Sequence, residues 1–124
     1  MRRLLVTAAL ALGLTLVPAV FAGGWATVQL SSAPTGVRAG KVWDVRLTVL
    51  QHGRTPLVGI TPSVQISSGA RRRTFPARPT ATPGVYRARV VFPVAGRWTW
   101  QVDDGFSRVH TYSAIRILQR GRAD

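Results

Sequence analysis

The chain has 124 residues, with 17 lysines and arginines against four acidic side chains and a net charge of +13, which leaves room for one domain with a modest core. It has no cysteine, which excludes disulfide staples, thiolate metal ligands and cysteine nucleophiles. There is no glutamate and two of the four aspartates are adjacent, so the carboxylate pairs of general acid–base catalysis are missing and a non-catalytic protein is expected.

Met1-Arg2-Arg3 starts the chain with charge, Leu4 to Val17 is apolar apart from Thr7, Gly13 and Thr15, and Pro18-Ala19-Val20-Phe21-Ala22 precedes Gly23-Gly24. A charged start, an apolar middle and small residues at Val20 and Ala22 make up the layout of a secretory signal peptide. A signal helix over 1–22, cut before Gly23, is therefore predicted. The alternative is an uncleaved anchor, because Leu4 to Ala22 approaches the roughly 20 residues that span a bilayer. Either reading puts the following domain outside the cytoplasm, in the periplasm or elsewhere in the cell envelope. Removing Arg2 and Arg3 lowers the net charge by two, to +11. A field of that sign attracts anionic partners, although arginine-dominated basicity, with Lys41 the one lysine, also fits the residue bias of a GC-rich genome.

From Trp25 onward apolar residues recur at every second position, and Gly or Pro interrupts about every ten residues, as in antiparallel sandwiches. Trp25 to Leu30 is the first predicted strand; Pro34, Gly36 and Gly40 mark the connection after it. In Val42 to Gln51, Trp43, Val45, Leu47 and Val49 share one face, while Asp44, Arg46 and Thr48 share the other. A short strand over Ser63 to Ser67 turns at Ser68-Gly69. It leads into Arg71-Arg72-Arg73-Thr74-Phe75, an edge strand whose charges discourage pairing with another molecule. Ala77 to Gly84, with Pro79 and Pro83, reads as loop.

Val85 to Phe92 sends Tyr86, Ala88, Val90 and Phe92 inward and Arg87 and Arg89 outward, and Arg97 to Asp103 buries Trp98, Trp100 and Val102. Asp104-Gly105 is a favoured pair for a two-residue type I′ hairpin. That register sets Asp103 opposite Phe106 and Trp100 opposite Val109. It buries Val109, Thr111, Ser113, Ile115 and Ile117 and turns Arg108, His110 and Tyr112 outward. Residues 119–124 read as a polar tail. The expected fold is all-β: an immunoglobulin-like antiparallel β-sandwich of about seven strands over 23–118. Its expected core is Trp25, Val45, Leu47, Val49, Tyr86, Val90, Trp98, Trp100, Val109 and Ile115.

Four stretches carry a family resemblance: Gly23-Gly24-Trp25-Ala26, Gln51-His52-Gly53-Arg54-Thr55-Pro56, Pro83-Gly84-Val85-Tyr86-Arg87-Ala88, and Phe92-Pro93-Val94-Ala95-Gly96-Arg97-Trp98. Together they resemble the YtkA-like family, related to FixH-type proteins, over roughly Trp25 to Ile117. The resemblance implies a small exported or membrane-anchored immunoglobulin-like domain, an accessory near respiratory or copper-handling machinery, with no catalytic residues to carry over. The Met-rich and multi-His segments that would support copper handling are missing from this chain.

Two histidines are present, His52 and His110. In an immunoglobulin-like topology His52 lies at the same end as Asp103-Asp104-Gly105, whereas His110 falls about 16 Å further along its strand. The metal candidate is therefore His52 with Asp103 and Asp104, since imidazole and carboxylate suit zinc or cupric copper. The other reading has His52 bonded within its loop and the aspartates serving the turn. Met1 is the sole methionine, so thioether ligands for cuprous copper are absent from the mature domain. Arg71, Arg72, Arg73 and Arg78 form the densest charge cluster. They would grip a phosphate, an acidic lipid surface or an acidic partner, or else serve as a solvated edge. No exposed row of tryptophans is expected for base stacking, hence no specific nucleic-acid partner.

The function expected from these residues is a non-catalytic accessory or interaction domain of the cell envelope, without a resident cofactor, working against an envelope or membrane protein. A periplasmic copper- or metal-carrying domain is the alternative, and a basic adhesive module for anionic surfaces is the second.

Overall fold

The structure, a computed structural model, describes residues 24–121; the signal segment expected over 1–22 and residues 122–124 of the expected tail lie outside the described residues. Among the described residues there is no helix, and ten strands form two antiparallel sheets of five strands each. In the first sheet the order is β1 (Ala26–Leu30), β2 (Val42–Gln51), β7 (Val85–Val91) and β6 (Arg78–Pro79), with β3 (Thr55–Pro56) also paired to β2. In the second it is β10 (Ile115–Ile117), β8 (Gly96–Asp103), β4 (Ser63–Ser68) and β5 (Arg71–Pro76), with β9 (Val109–Thr111) also beside β8. The architecture is consistent with a β-sandwich.

Strand alternation decides what lies between the sheets. From the first sheet come Trp43, Val45, Leu47, Val49, Tyr86, Ala88 and Val90; from the second, Val64, Ile66, Trp98, Trp100, Val102 and Ile117, all buried in one cluster. The Trp43 ring meets Trp100 edge-on at 5.4 Å, and Phe92 meets Trp98 at 5.6 Å, both favourable quadrupole geometries. Each buried indole finds an acceptor: Trp43 donates to Ser32 Oγ at 2.9 Å, Trp98 to the Val94 carbonyl at 2.9 Å and Trp100 to the Ser113 carbonyl at 3.0 Å. These three tryptophans can therefore fill the interior without leaving an N–H stranded.

Two expected core residues lie outside it. Trp25 is 48% exposed, because β1 starts one residue later and Ala26 takes the buried position. Val109 is 42% exposed because the β8–β9 connection is not a two-residue hairpin. Asp103 pairs with Val109 and Gln101 with Thr111, leaving residues 104–108 as a five-residue loop. This register differs by three residues from the expected one, and an odd shift exchanges the two faces of a strand. Val109, Thr111 and Ser113 are accordingly exposed, while His110 and Tyr112 turn inward and are half-buried, Tyr112 stacking on Trp100 at 4.2 Å. β10 pairs one residue further along, Ile115 with Trp98 and Ile117 with Gly96, which leaves Ile115 half-buried and Ile117 buried.

Smaller differences concern the ends and the expected loop. Within Ala77 to Gly84, Arg78–Pro79 pairs with Arg87 and Tyr86 as a sheet edge, the position where proline's missing N–H is tolerated. The expected tail begins tied down: Leu118 bridges Arg38, and Arg38 Nη1 donates to the Gln119 carbonyl at 2.9 Å. Gly84 has φ +81 and donates no space: a Cβ there would sit 2.8 Å from Pro56 Cβ and 3.0 Å from Pro56 Cα. Gly84→Ala is expected to destabilise the domain by about 2 kcal/mol or more through strain and overpacking, read as a lower midpoint in urea with unchanged slope.

Candidate functional site

The metal candidate does not assemble. Among the described residues no group of three or more His, Cys, Asp or Glu side chains lies close enough to hold a metal ion. His52 has φ 54 and precedes Gly53 at φ 71, and Arg54 N–H donates to the Gln51 carbonyl at 3.0 Å. Two successive positive φ values are what a type I′ turn requires, so that turn belongs to the β2–β3 hairpin, not to Asp104-Gly105. The His52 ring lies 4.8 Å from that of Trp25.

Both aspartates serve the β8–β9 loop. Asp103 accepts from Gly105 N–H at 2.9 Å. Asp104, 0% exposed, accepts the N–H groups of Phe106, Ser107 and Arg108 on Oδ1, and Ser107 Oγ and His110 Nε2 on Oδ2. Burial pushes its pKa up, but the hydrogen bonds from His110, Ser107, Phe106 and Arg108 outweigh it and lower the value from 3.8 to about 2. An ionised carboxylate only accepts, so His110 Nε2 carries the proton of their 2.8 Å bond. His110 therefore touches Asp104 instead of lying far down the strand. With Asp104 spent on the loop, Asp103 bonded to Gly105 N–H and no three such side chains converging among the described residues, the residues present do not fit a copper or zinc site.

Strand alternation also divides the basic cluster. β5 is an edge, as expected; Arg73 faces Ile66 and Phe75 faces Val64, so Arg71 and Arg73 lie on the inward side of that edge and Arg72 on the outer side. Arg78 is separated from all three and belongs to the other sheet.

There Arg78 joins residues distant in sequence. It pairs with Arg87, and Arg87 pairs with Arg46, giving three arginines in one row across β6, β7 and β2. Adjacent strands lie about 4.8 Å apart, so the row spans roughly 10 Å. One step along the strands Asp44 faces Arg89; one step the other way, Gln29 faces Thr48 and Thr48 faces Val85. These outward side chains, Asp44 excepted, line a groove of about 1090 Å³ across the sheet, rimmed by Phe75, Pro76 and Pro79 on the β6 side and Leu30 and Ser31 on the β1 side.

A single carboxylate stands among its four guanidiniums. Arg87 Nε donates to Asp44 Oδ1 at 2.8 Å and its Nη2 to Oδ2, a bidentate fork. The Arg87 hydrogen bond holds the Asp44 carboxyl below its ordinary range against the opposing effect of burial, helped by the charges of Arg87, Arg89 and Arg46. Among the described residues no carboxylate pairs with Arg46, Arg78 or Arg89. Like charges directly opposite one another on neighbouring strands destabilise a sheet, and an anion seated over the row would remove that repulsion. Sequence reading placed Arg46, Arg87 and Arg89 on outward positions but not in one site, since only the strand order and register bring positions 46, 78, 87 and 89 together.

Comparison of the chain with protein-family models, curated proteins and solved structures finds no match in any of the three.

Proposed function

We propose that the protein is a non-catalytic, exported binding module of the cell envelope that captures anionic ligands on the outer face of its first sheet. The observation that carries this reading is the Arg78–Arg87–Arg46 row, with Arg89 beside it and one carboxylate between them, in a groove open to ligand. Arginine suits the task because its planar fork matches carboxylate, sulfate and phosphate oxygens two at a time. The signal layout of residues 1–22 supports export. The sheet orders β1-β2-β7-β6 and β10-β8-β4-β5 support an immunoglobulin-like assignment, matching an ABED sheet against a GFC sheet with one added edge strand. The YtkA-like resemblance supports an envelope location. Copper carriage is not favoured, because Asp103 and Asp104 serve the loop and no three ligand-type side chains converge among the described residues.

A charge-matched comparison tests the reading. The triple variant Arg46→Gln/Arg78→Gln/Arg89→Gln should lose at least about tenfold more affinity for dextran sulfate at physiological salt than Arg71→Gln/Arg72→Gln/Arg73→Gln, which removes the same charge from the β5 edge. Equal losses in the two would mean that the overall field, and no particular face, holds the polyanion.

A further inference from the structure

Resting on the anion-binding reading, we infer that the groove takes a linear acidic polysaccharide, one bearing carboxylate or sulfate groups at intervals among sugar hydroxyls. The groove presents two parallel rows of different chemistry. The first is the cationic Arg78–Arg87–Arg46 row. The second, two residues along each strand and so roughly 7 Å away, is neutral: Gln29, Thr48 and Val85 in register.

The Gln29 and Thr48 side chains make no hydrogen bond with another described residue, and both line the groove. Thr80 lines it too, but its hydroxyl is committed to the Val85 carbonyl at 2.9 Å. An amide and a hydroxyl left uncommitted beside a row of guanidiniums match a ligand in which neutral hydroxyls alternate with anionic groups. A polyphosphate chain would use the arginines alone.

Two other anionic ligands fit less well. Bases of a single-stranded nucleic acid need aromatic platforms, and the only aromatic side chain among the described residues at this groove, Phe75, is packed against the core. A lipid surface is flat and engages inserted apolar side chains. Among the described residues the exposed large apolar side chains, Trp25, Val42, Val58, Val94, Phe106, Val109 and Leu118, all lie outside the groove lining. A recessed polar face suits a hydrated chain that can lie within it.

The test uses the purified protein, the double variant Gln29→Ala/Thr48→Val, the single variant Gln29→Ala at an exposed position, and the groove arginine triple. Titrations are run with polygalacturonate and dextran sulfate, with inorganic polyphosphate, and with phosphatidylglycerol vesicles. The double variant should lose about fivefold or more in affinity for the polysaccharides, the single variant part of that, and both should bind polyphosphate within about twofold of the unsubstituted protein. Unchanged polysaccharide affinity, or an equal loss for polyphosphate, would overturn the polysaccharide assignment while leaving the anion-binding face intact. So would vesicle binding tighter than polysaccharide binding and dependent on the same arginines. Failure of the arginine triple to weaken any polyanion would instead overturn the underlying reading.

Discussion

Asp104→Ala is expected to lower the unfolding free energy by about 3–5 kcal/mol, a large share of the roughly 5–15 kcal/mol that holds a domain of this size. The carboxylate is fully buried and accepts five hydrogen bonds, three of them from consecutive backbone N–H groups of a loop that has no ladder to satisfy them. Truncation strands those donors and the His110 ring together. Ser107 passes the effect on, because its Oγ also accepts the N–H of Ala26, where β1 begins. A Cβ on Gly105 would sit 2.8 Å from the Thr61 backbone and 3.0 Å from Pro62 N, so the loop also runs close beside that segment. Urea denaturation measures the loss. His110→Ala removes one of the five bonds and should cost about 1–2 kcal/mol, so a His110 variant as damaging as Asp104→Ala would show that the His110 hydrogen bond, not the backbone cap, does most of the stabilising.

The same carboxylate sets part of the acid limit. Its pKa is depressed in the folded state, about 2 against an ordinary 3.8, so the folded form binds fewer protons than the unfolded form between those values. The contribution is complete above about pH 5 and disappears as pH falls through about 2, on the order of 2 kcal/mol in all. In Asp104→Asn that component should be missing, and the stability difference from the unsubstituted protein should shrink as pH drops from 4 to 2. A difference that stays constant over that window would contradict the assignment.

The contrast between Asp104 and His52 explains where the sequence was legible and where it was not. Period-two alternation in Val42–Gln51 and Val85–Val91 identifies the inward and outward faces directly, because one residue's step always changes face. Trp43, Val45, Leu47, Val49, Tyr86, Ala88, Val90, Trp98, Trp100 and Val102 follow from that rule alone. Turns obey no such rule. Asp104-Gly105 and His52-Gly53 are both favourable dipeptides for positive φ, yet only the second adopts the pair; Asp104 has a competing use as a buried cap. A type I′ turn at Asp104-Gly105 shifts the expected register by three, buries Val109 where the structure exposes it, and hides the His110–Asp104 contact. The arginine row was obscured for another reason. Each of Arg46, Arg87 and Arg89 has a legible outward direction, but which strands are neighbours depends on how the whole chain closes, and Arg78 sits in a segment too short to announce itself as a strand.

Trp98→Ala is expected to leave the domain largely unfolded at moderate temperature, with a loss of about 3–5 kcal/mol, whereas Trp98→Phe should lose less than half as much. The indole is completely buried, stands edge-on to Phe92 at 5.6 Å and has its N–H bonded to the Val94 carbonyl, four residues back on the turn that starts β8. Two contributions are therefore combined in one side chain: ring volume between the sheets, and a bond that closes the Pro93–Gly96 turn. Phenylalanine keeps most of the first and removes the second, at a cost near the ~1 kcal/mol of a single hydrogen bond plus a small void. No cross-link can compensate for the cavity that alanine leaves, since the chain has no cysteine. The two midpoints in urea, read by far-UV dichroism to avoid the changed tryptophan fluorescence, separate packing from hydrogen bonding. Equal losses for Phe and Ala would assign the stability to the turn bond and contradict an interior held together by ring packing.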